Sequence, residues 1–406
     1  MTPLNPPSYN WTSPHPGIYH RPALSTESLW FTRPKDLHEM FITSHLTFSR
    51  PHTHYPKIRL KEAARRAWKR LRFEVPELGI RAVINDGEVF LEYKMLDEVG
   101  VRGWISRTLF FGESEGDYEF ESLRKDIVSR KDCEEQASVL LNFETRDSAV
   151  FGDRGEELVD GVYLILNTDH QITDGIGTRI LLGRFLELFS QYVRVEMDCK
   201  ENLVWEDSYK NLTQPWIGML DGMQKLEGRK SVETCERNRN HLFHETSAKI
   251  NPSLPLKEYL PFSPTSSPHP TFPQVSTQKT HFLTLPPEET TSILTAVKRF
   301  SKTATITHAV HAAMVLTLLC PSFQQSPSPE LSTFNSSCWF NGRRYLMPAE
   351  QISYIPPCQS FFPICFTDLQ DLRLTKNPGR EERRALMLRA LEITMGQYLA
   401  LKEERG

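Results

Sequence analysis

The chain has 406 residues, of which 39% are hydrophobic and 24% charged, with a formal net charge of -3. That is polypeptide enough for one large or two medium globular domains, and the near-neutral balance excludes the basic footprint of a nucleic-acid binder. The seven cysteines lie between Cys133 and Cys365 without a Cys-x-x-Cys pair, which fits a reducing compartment rather than a disulfide framework.

The N-terminal residues 1–17 lack the apolar core of a signal peptide, and no run approaches the roughly 20 apolar residues of a membrane span. The expected location is the cytoplasm. Residues 1–28 hold six prolines and read as an extended arm. Ser25-Thr26-Glu27 leads into Leu29-Trp30-Phe31, and an apolar stretch follows around Met40-Phe41-Ile42. Arg59 to Phe73 is an amphipathic helix, with Leu60, Ala64, Ala67, Trp68 and Leu71 on one face and Lys61, Arg65, Arg66, Lys69 and Arg72 on a solvated one. It ends before Pro76. Ala82–Ile84 and Val89–Tyr93 flank Asn85-Asp86-Gly87, a hairpin turn whose residues tolerate positive φ. Gly112-Glu113-Ser114-Glu115-Gly116 matches the Gly-x-Ser-x-Gly nucleophile elbow of serine hydrolases. Its acidic flanks predict an exposed loop instead, which counts against Ser114 as a nucleophile. Glu119 to Lys131 reads as a helix and Val139–Phe143 as a buried strand.

The most informative stretch runs from Gly161 to Tyr192. Val162–Leu166 is apolar on both alternating faces, the pattern of a strand buried on both sides. A polar turn follows, Asn167 to Gly175. The period then changes, and Ile176, Ile180, Phe185 (or Leu181), Leu188 and Tyr192 predict a helix. The turn carries His170-x-x-x-Asp174-Gly175. A neutral imidazole accepts a proton near neutral pH, so His170 suits a general base, aimed from the end of a rigid strand. Three roles are open to Asp174: a proton relay, a brace for the loop through an arginine, or the N-cap of the following helix. Gly175 supplies backbone freedom for the turn. Gly175-Ile176-Gly177 begins a Gly-x-Gly-x-x-Gly, but Ile180 stands where its third glycine is needed, so a dinucleotide site is not expected.

Strand, His-x-x-x-Asp-Gly and helix together resemble the CoA-dependent acyltransferase superfamily. That group includes plant BAHD enzymes, chloramphenicol acetyltransferase and peptide-synthetase condensation domains. The likeness is nearest to fungal O-acyltransferases of the trichothecene 3-O-acetyltransferase type. It implies an α/β (α+β) protein of two chloramphenicol-acetyltransferase-like lobes with mixed sheets and an active-site channel between them. It also implies that His170 deprotonates an acceptor hydroxyl for attack on an acyl thioester. On the residues alone, the order α, β, β, α, β, β, α up to this helix reads as mixed α/β.

Beyond Lys200, Trp205 and Trp216 sit in a mixed segment, and a charged helix-like run covers 222–248. Seven prolines lie between Pro252 and Pro273, so 201–275 reads as a crossover between lobes spanning 29–200 and 276–406. His281 to Leu285 is a strand candidate. Glu288 to Phe300 is a helix, and Thr305-Ile306-Thr307 caps a second one, His308 to Leu319, apolar on most faces and expected to be buried. His308 and His311 stand at i, i+3, as two metal ligands can. No third ligand pattern accompanies them, so they read as cap or core residues and no metal is expected. Ser337–Phe340 is a strand entering Asn341-Gly342-Arg343-Arg344. This segment resembles the superfamily's Asp-x-Arg region, and the resemblance implies that Arg343 braces Asp174, with Arg344 as the fallback. Tyr354–Cys358 forms a turn, Phe361–Phe366 a strand and Arg380 to Leu401 a helix. The resemblance further implies C-terminal strands and an Asp-Phe-Gly-Trp-Gly-like motif absent from this sequence, so the second lobe is expected to be incomplete.

The expected function is therefore acyl-CoA-dependent O-acylation of a small hydroxylated secondary metabolite. His170 is the base, Asp174, Gly175 and Arg343 are its structural support, and acyl-CoA is a co-substrate rather than a bound cofactor. The chain is expected to act as a monomer without a nucleic-acid partner. The competing readings are a non-catalytic relative that binds a ligand or partner, and a hydrolase using Ser114.

Overall fold

The computed structural model describes residues 9–31, 39–47, 55–115, 120–131, 134–145, 157–159, 161–194, 202–219, 285–320, 333–367, 369–375 and 378–403. The chain divides into two compact units, Met1–Lys225 with Asn341–Gln359, and Leu226–Phe340 with Ser360–Gly406. The architecture is mixed α/β. Of the expected crossover, the charged run 222–248 and the proline-rich 252–273 lie outside the described residues, as does most of the strand candidate at 281–285.

In the first unit, strands β1 (Thr12–His15) and β2 (Ile18–Pro22) form a hairpin within the proline-rich arm, followed by helix α1 (Ser25–Phe31). Then come β3 (Glu39–Thr47), the short β4 (Tyr55–Pro56) and α2 (Lys57–Glu74). The hairpin β5 (Ile80–Asn85) and β6 (Glu88–Lys94) closes on Asp86 at φ 48° and Gly87 at φ 82°, as its sequence predicts. Helix α3 (Glu98–Thr108), which the sequence reading misses, starts at Asp97, whose carboxylate accepts from the Gly100 amide at 2.7 Å. Strand β7 (Leu109–Glu115), helix α4 (Phe120–Arg130) and strands β8 (Ala137–Thr145), β9 (Leu158–Val159) and β10 (Gly161–Asp169) follow, and helix α5 (Gly175–Arg194) leaves the turn after β10.

Two four-stranded sheets result, in the orders β1-β2-β6-β5 and β3-β10-β8-β7, and β4 pairs with β9. In the second sheet β10 is antiparallel to β3 and β8, while β7 runs parallel to β8. Both faces of β10 are covered. Val162, Leu164 and Leu166 join the core with α2 and α5, and Ile165 packs with Leu123 and Ile127 of α4. This double burial explains the unbroken apolar run.

Three local expectations are corrected. Gly112 to Glu115 is strand rather than an exposed acidic loop. Ser114 pairs in register with Glu144 inside β7, where a nucleophile elbow needs a sharp turn. Glu113 is exposed as expected and takes Lys57 Nζ at 2.6 Å. Arg72 is not on a solvated face: it follows Trp68 by one helical turn and is 2% exposed, donating to the Pro76 carbonyl at 2.8 Å. Burial lowers its pKa. The buried stripe of α5 is Gly177, Leu181, Phe185, Leu188 and Tyr192, with Ile176 left 38% exposed. Ile176 lies five residues before Leu181, about 140° around the helix.

The second unit packs helices α6 (Pro287–Phe300), α7 (Ile306–Leu318) and α8 (Arg380–Glu403) with a two-stranded sheet, β11 (Thr333–Asn341) and β12 (Gln359–Thr367). Its core holds Val315, Ile364, Phe366, Leu369 and Ala390. Helix α7 is only half buried. Ala309, Ala312 and Val315 face this core, while Val310 is 58% exposed. The segment 341–359, expected within the second lobe, belongs to the first unit. Among the described residues no helix is long and apolar enough to cross a membrane.

Candidate active site

His170 follows directly on the last residue of β10 and is half buried. Three features build the turn that carries it onward to α5. Asp169 Oδ1 accepts from the Gln171 amide at 2.8 Å, and the Ile172 amide donates to the Asp169 carbonyl at 3.2 Å, so the chain bends at once. Thr173, fully buried, donates its hydroxyl to the Ile355 carbonyl at 3.0 Å. Asp174 then fixes the start of the helix.

Two of the roles open to Asp174 are filled by its two oxygens. Oδ1 accepts from the amides of Ile176 at 3.0 Å and Gly177 at 2.8 Å, which is an N-cap. Oδ2 accepts from Arg343 Nη1 at 2.8 Å and from the Cys358 amide at 2.9 Å. A carboxylate with both oxygens doubly engaged is a brace rather than a relay. The pair is buried, with side-chain exposures of 2% for Arg343 and 1% for Asp174.

Burying a guanidinium is costly unless its donors are met. Here all five N–H donors have acceptors. Nε gives to the Tyr354 carbonyl at 2.7 Å, Nη1 to Asp174 and to Asn341 Oδ1 at 3.3 Å, and Nη2 to the carbonyls of Ile355 at 3.2 Å and Pro356 at 3.0 Å. Residues 354–358 therefore form a strap whose carbonyls converge on Arg343 while the Cys358 amide meets Asp174. Burial pushes the Cys358 thiol up to about 12. Arg344, the fallback, is exposed and donates to the Tyr345 hydroxyl.

Gly175 differs from expectation, and the constraint falls on Gly177 in the first turn of α5. Gly175 has no positive φ, and a Cβ there would meet nothing within 4 Å, so the turn does not depend on its freedom. Gly177 is the constrained one. A Cβ on it would lie 2.0 Å from the Ile355 carbonyl and 2.2 Å from Thr173 Oγ1. Only glycine lets α5 approach the strap so closely.

The structure thus brings Asp174 and Arg343 together beside the turn that carries His170. The sequence reading misses Thr173, Gly177, the strap carbonyls and Trp30, whose indole stacks on the His170 ring with centroids 3.8 Å apart. Gly177 stands in view as part of a failed nucleotide motif, but nothing nearby in sequence identifies its partner. His308 and His311 lie apart from this turn, in α7. His308 Nδ1 accepts from the Thr305 amide at 3.2 Å in a capping box. His311 Nδ1 is hydrogen-bonded with Ser336 Oγ at 2.6 Å. Among the described residues no group of three or more His, Cys, Asp or Glu side chains is placed to hold a metal ion.

A protein-family model described as 15-O-acetyltransferase Tri3 matches residues 1–400. The sequence resemblance is to the 3-O type; the matched family is a 15-O type. The chain is similar to trichothecene 15-O-acetyltransferase TRI3 of Fusarium sporotrichioides, 24% identical over 236 residues that cover 57% of this chain and 40% of that one. This match spans less than half of the curated relative's length. A solved structure of TRI3 trichothecene 15-O-acetyltransferase from the same organism superposes with a TM-score of 0.72 at 18% identity, covering 99% of this chain and 77% of that chain. The first condensation domain of the calcium-dependent antibiotic synthetase, in complex with a substrate analogue, gives a TM-score of 0.51 at 13% identity over 95% of this chain and 75% of that one. At these identities the two structures show the fold alone.

Proposed function

This chain belongs to the Tri3 15-O-acetyltransferase family, and from that premise we propose that it transfers an acetyl group from acyl-CoA to a hydroxyl of a small molecule. The acceptor class carried over from the relatives is a trichothecene-type alcohol. The observation that carries the reading is the His170 turn itself, an imidazole at a strand end whose following residues are locked by the buried Asp174–Arg343 pair.

In the proposed step the neutral imidazole of His170 takes the proton of the acceptor hydroxyl. The oxygen attacks the thioester carbonyl, and a tetrahedral oxyanion forms. It collapses by breaking the C–S bond, and the departing thiolate takes the proton from the imidazolium. The products are the ester and free CoA. The base activates the acceptor directly, so the step needs no covalent acyl-enzyme, no metal and no resident cofactor. Asp174 and Arg343 enter only by holding the loop. A single chain carries every residue invoked.

The test is CoA release by purified protein offered acetyl-CoA and a panel of hydroxylated trichothecene-type acceptors, with ester formation followed by mass spectrometry. Acceptor-dependent release of CoA supports the proposal. Ligand binding without release across the panel would replace it with a non-catalytic relative, and labelling of Ser114 by a fluorophosphonate would point to a hydrolase instead.

A further inference from the structure

We propose that Trp30 is a positioning residue for His170, carried there by a strut whose fastening is the buried Arg21–Glu27 ion pair; the inference rests on the reading of His170 as the base. The two rings are nearly parallel, with centroids 3.8 Å apart and 12° between planes, and Trp30 is 8% exposed. A face-on contact of this kind covers one side of the imidazole and restrains its rotation about χ2. The terminal torsion of histidine is otherwise broad. Both ring nitrogens lie in the plane that the contact fixes, so the indole sets the direction along which a proton can be taken.

What holds Trp30 is out of proportion to a piece of surface. It is the sixth residue of α1, a helix of 7 residues, too short to persist without tertiary support. That support comes from β2. Arg21 Nη1 and Nη2 donate to the two oxygens of Glu27 at 2.8 and 2.6 Å, a bidentate pair with side-chain exposures of 3% and 1%. Glu27 Oε2 also accepts from the Leu24 amide at 2.7 Å, tying off the first turn. Arg21 lies over the Trp11 ring at 5.1 Å, and Trp11 donates its indole N–H to the Thr213 carbonyl at 2.9 Å. Strand β2 is itself paired to β6, with Arg21 opposite Leu91 of the core. The strut therefore runs without a break from β6 through β2, Arg21 and Glu27 to α1, and its far end is the imidazole. Loop brace and strut approach His170 from opposite directions in sequence, one fixing the backbone after it and the other its ring plane.

A merely structural Trp30 would be replaced well by any apolar side chain of similar bulk, whereas a positioning residue needs a flat face. The experiment compares Trp30→Leu, Trp30→Phe and Glu27→Gln with the wild type in the full chain, by steady-state kinetics and by NMR of histidine-labelled protein. The His170 signal is assigned as the one lost in His170→Ala. We expect the wild-type His170 ring protons to be displaced upfield by the indole and to move toward the ordinary position in Trp30→Leu. That variant should lose about ten- to a hundredfold in kcat with KM little changed, the cost of a misaligned group. Trp30→Phe should recover most of both, and Glu27→Gln should reproduce the kcat loss without touching the indole. An unmoved His170 signal in Trp30→Leu, or a Trp30→Leu enzyme as fast as wild type, would overturn the positioning role while leaving the base in place. A wild type without turnover whose His170 signal is nonetheless shifted would overturn the reading of His170 as the base, and the positioning role with it.

Discussion

Two histidines of this chain, His170 and His311, are both withdrawn from solvent, and they are held in opposite ways. At His311 the bonds are on the ring itself. Nδ1 meets Ser336 Oγ at 2.6 Å, Nε2 meets the Tyr398 hydroxyl at 3.4 Å, and the residue is 8% exposed in the core of the second unit. At His170 the investment is in the surroundings: Thr173, Asp174, Gly177 and Arg343 lock the chain that follows it, and Trp30 covers its face. At His311 the surroundings engage the ring nitrogens within a packed core; at His170 they lock the backbone after the ring and lay an indole on its face.

The contrast between the two histidines is most vulnerable at Arg343. Arg343→Ala would leave the buried Asp174 carboxylate without its counter-ion and take the guanidinium from the Tyr354 and Pro356 carbonyls, and breaking such a pair costs about 3–5 kcal/mol. The variant should melt well below wild type and lose activity. Arg343→Lys should recover little, because an ammonium cannot reproduce the planar five-donor fork. Next in size is Gly177→Ala, where the new methyl collides with the Ile355 carbonyl 2.0 Å away. About 3 kcal/mol of destabilisation is expected, the upper range for overpacking. Gly175→Ala is its control, since nothing lies within 4 Å of the added atom. Its folding stability should stay at wild type or rise by up to about 1 kcal/mol through helix propensity. Urea midpoints of the two variants check this directly, and equal losses at both glycines would contradict the packing described.

The smallest effect falls on the His311 side. Burial lowers its pKa below the ordinary 6.5. The unfolded chain therefore binds the proton more readily than the folded one. The contribution is fully present above pH 6.5 and is lost as pH falls through that value toward the folded pKa. Wild type should lose stability as the pH is lowered from above to below 6.5 by more than His311→Gln does, measured by urea melts of both. Parallel losses would mean that His311 is not held neutral.

What can be read from the sequence follows from the range of the forces involved. Strand β10 and helix α5 are legible because apolar periodicity is local, and the Asp86-Gly87 turn because positive φ selects its residues. A cap within Thr305–Thr307 is legible for the same reason, and the structure places it at Thr305, whose partner is three residues away. The position of His170 at a strand end follows from that change of period alone. The phase of α5 escapes periodicity because Ile176 and Ile180 fit the same spacing as the true stripe until the Asp174 cap fixes where the helix begins. Arg72 reads as solvated because a charge is presumed to seek water, whereas its guanidinium lies 5.2 Å from the Tyr93 ring and 5.5 Å from the Trp104 ring. The strap is beyond reach altogether. Thr173 meets Ile355 from 182 positions away, and through a backbone carbonyl that leaves no trace in side-chain identity. The arginine facing Asp174 comes from family likeness, since nothing in the spacing of 343 from 174 could supply it.

The proposed function makes His170 the base, while the bonds of Asp174 that close the turn run to Ile176, Gly177, Arg343 and Cys358. Turnover of His170→Ala, measured beside its thermal unfolding, separates the ring from the framework without intermediate steps. Acyl transfer should fall at least a hundredfold with an unfolding midpoint near that of wild type, because Asp174 and Arg343 keep the turn closed. Undiminished transfer in the variant would contradict the assignment.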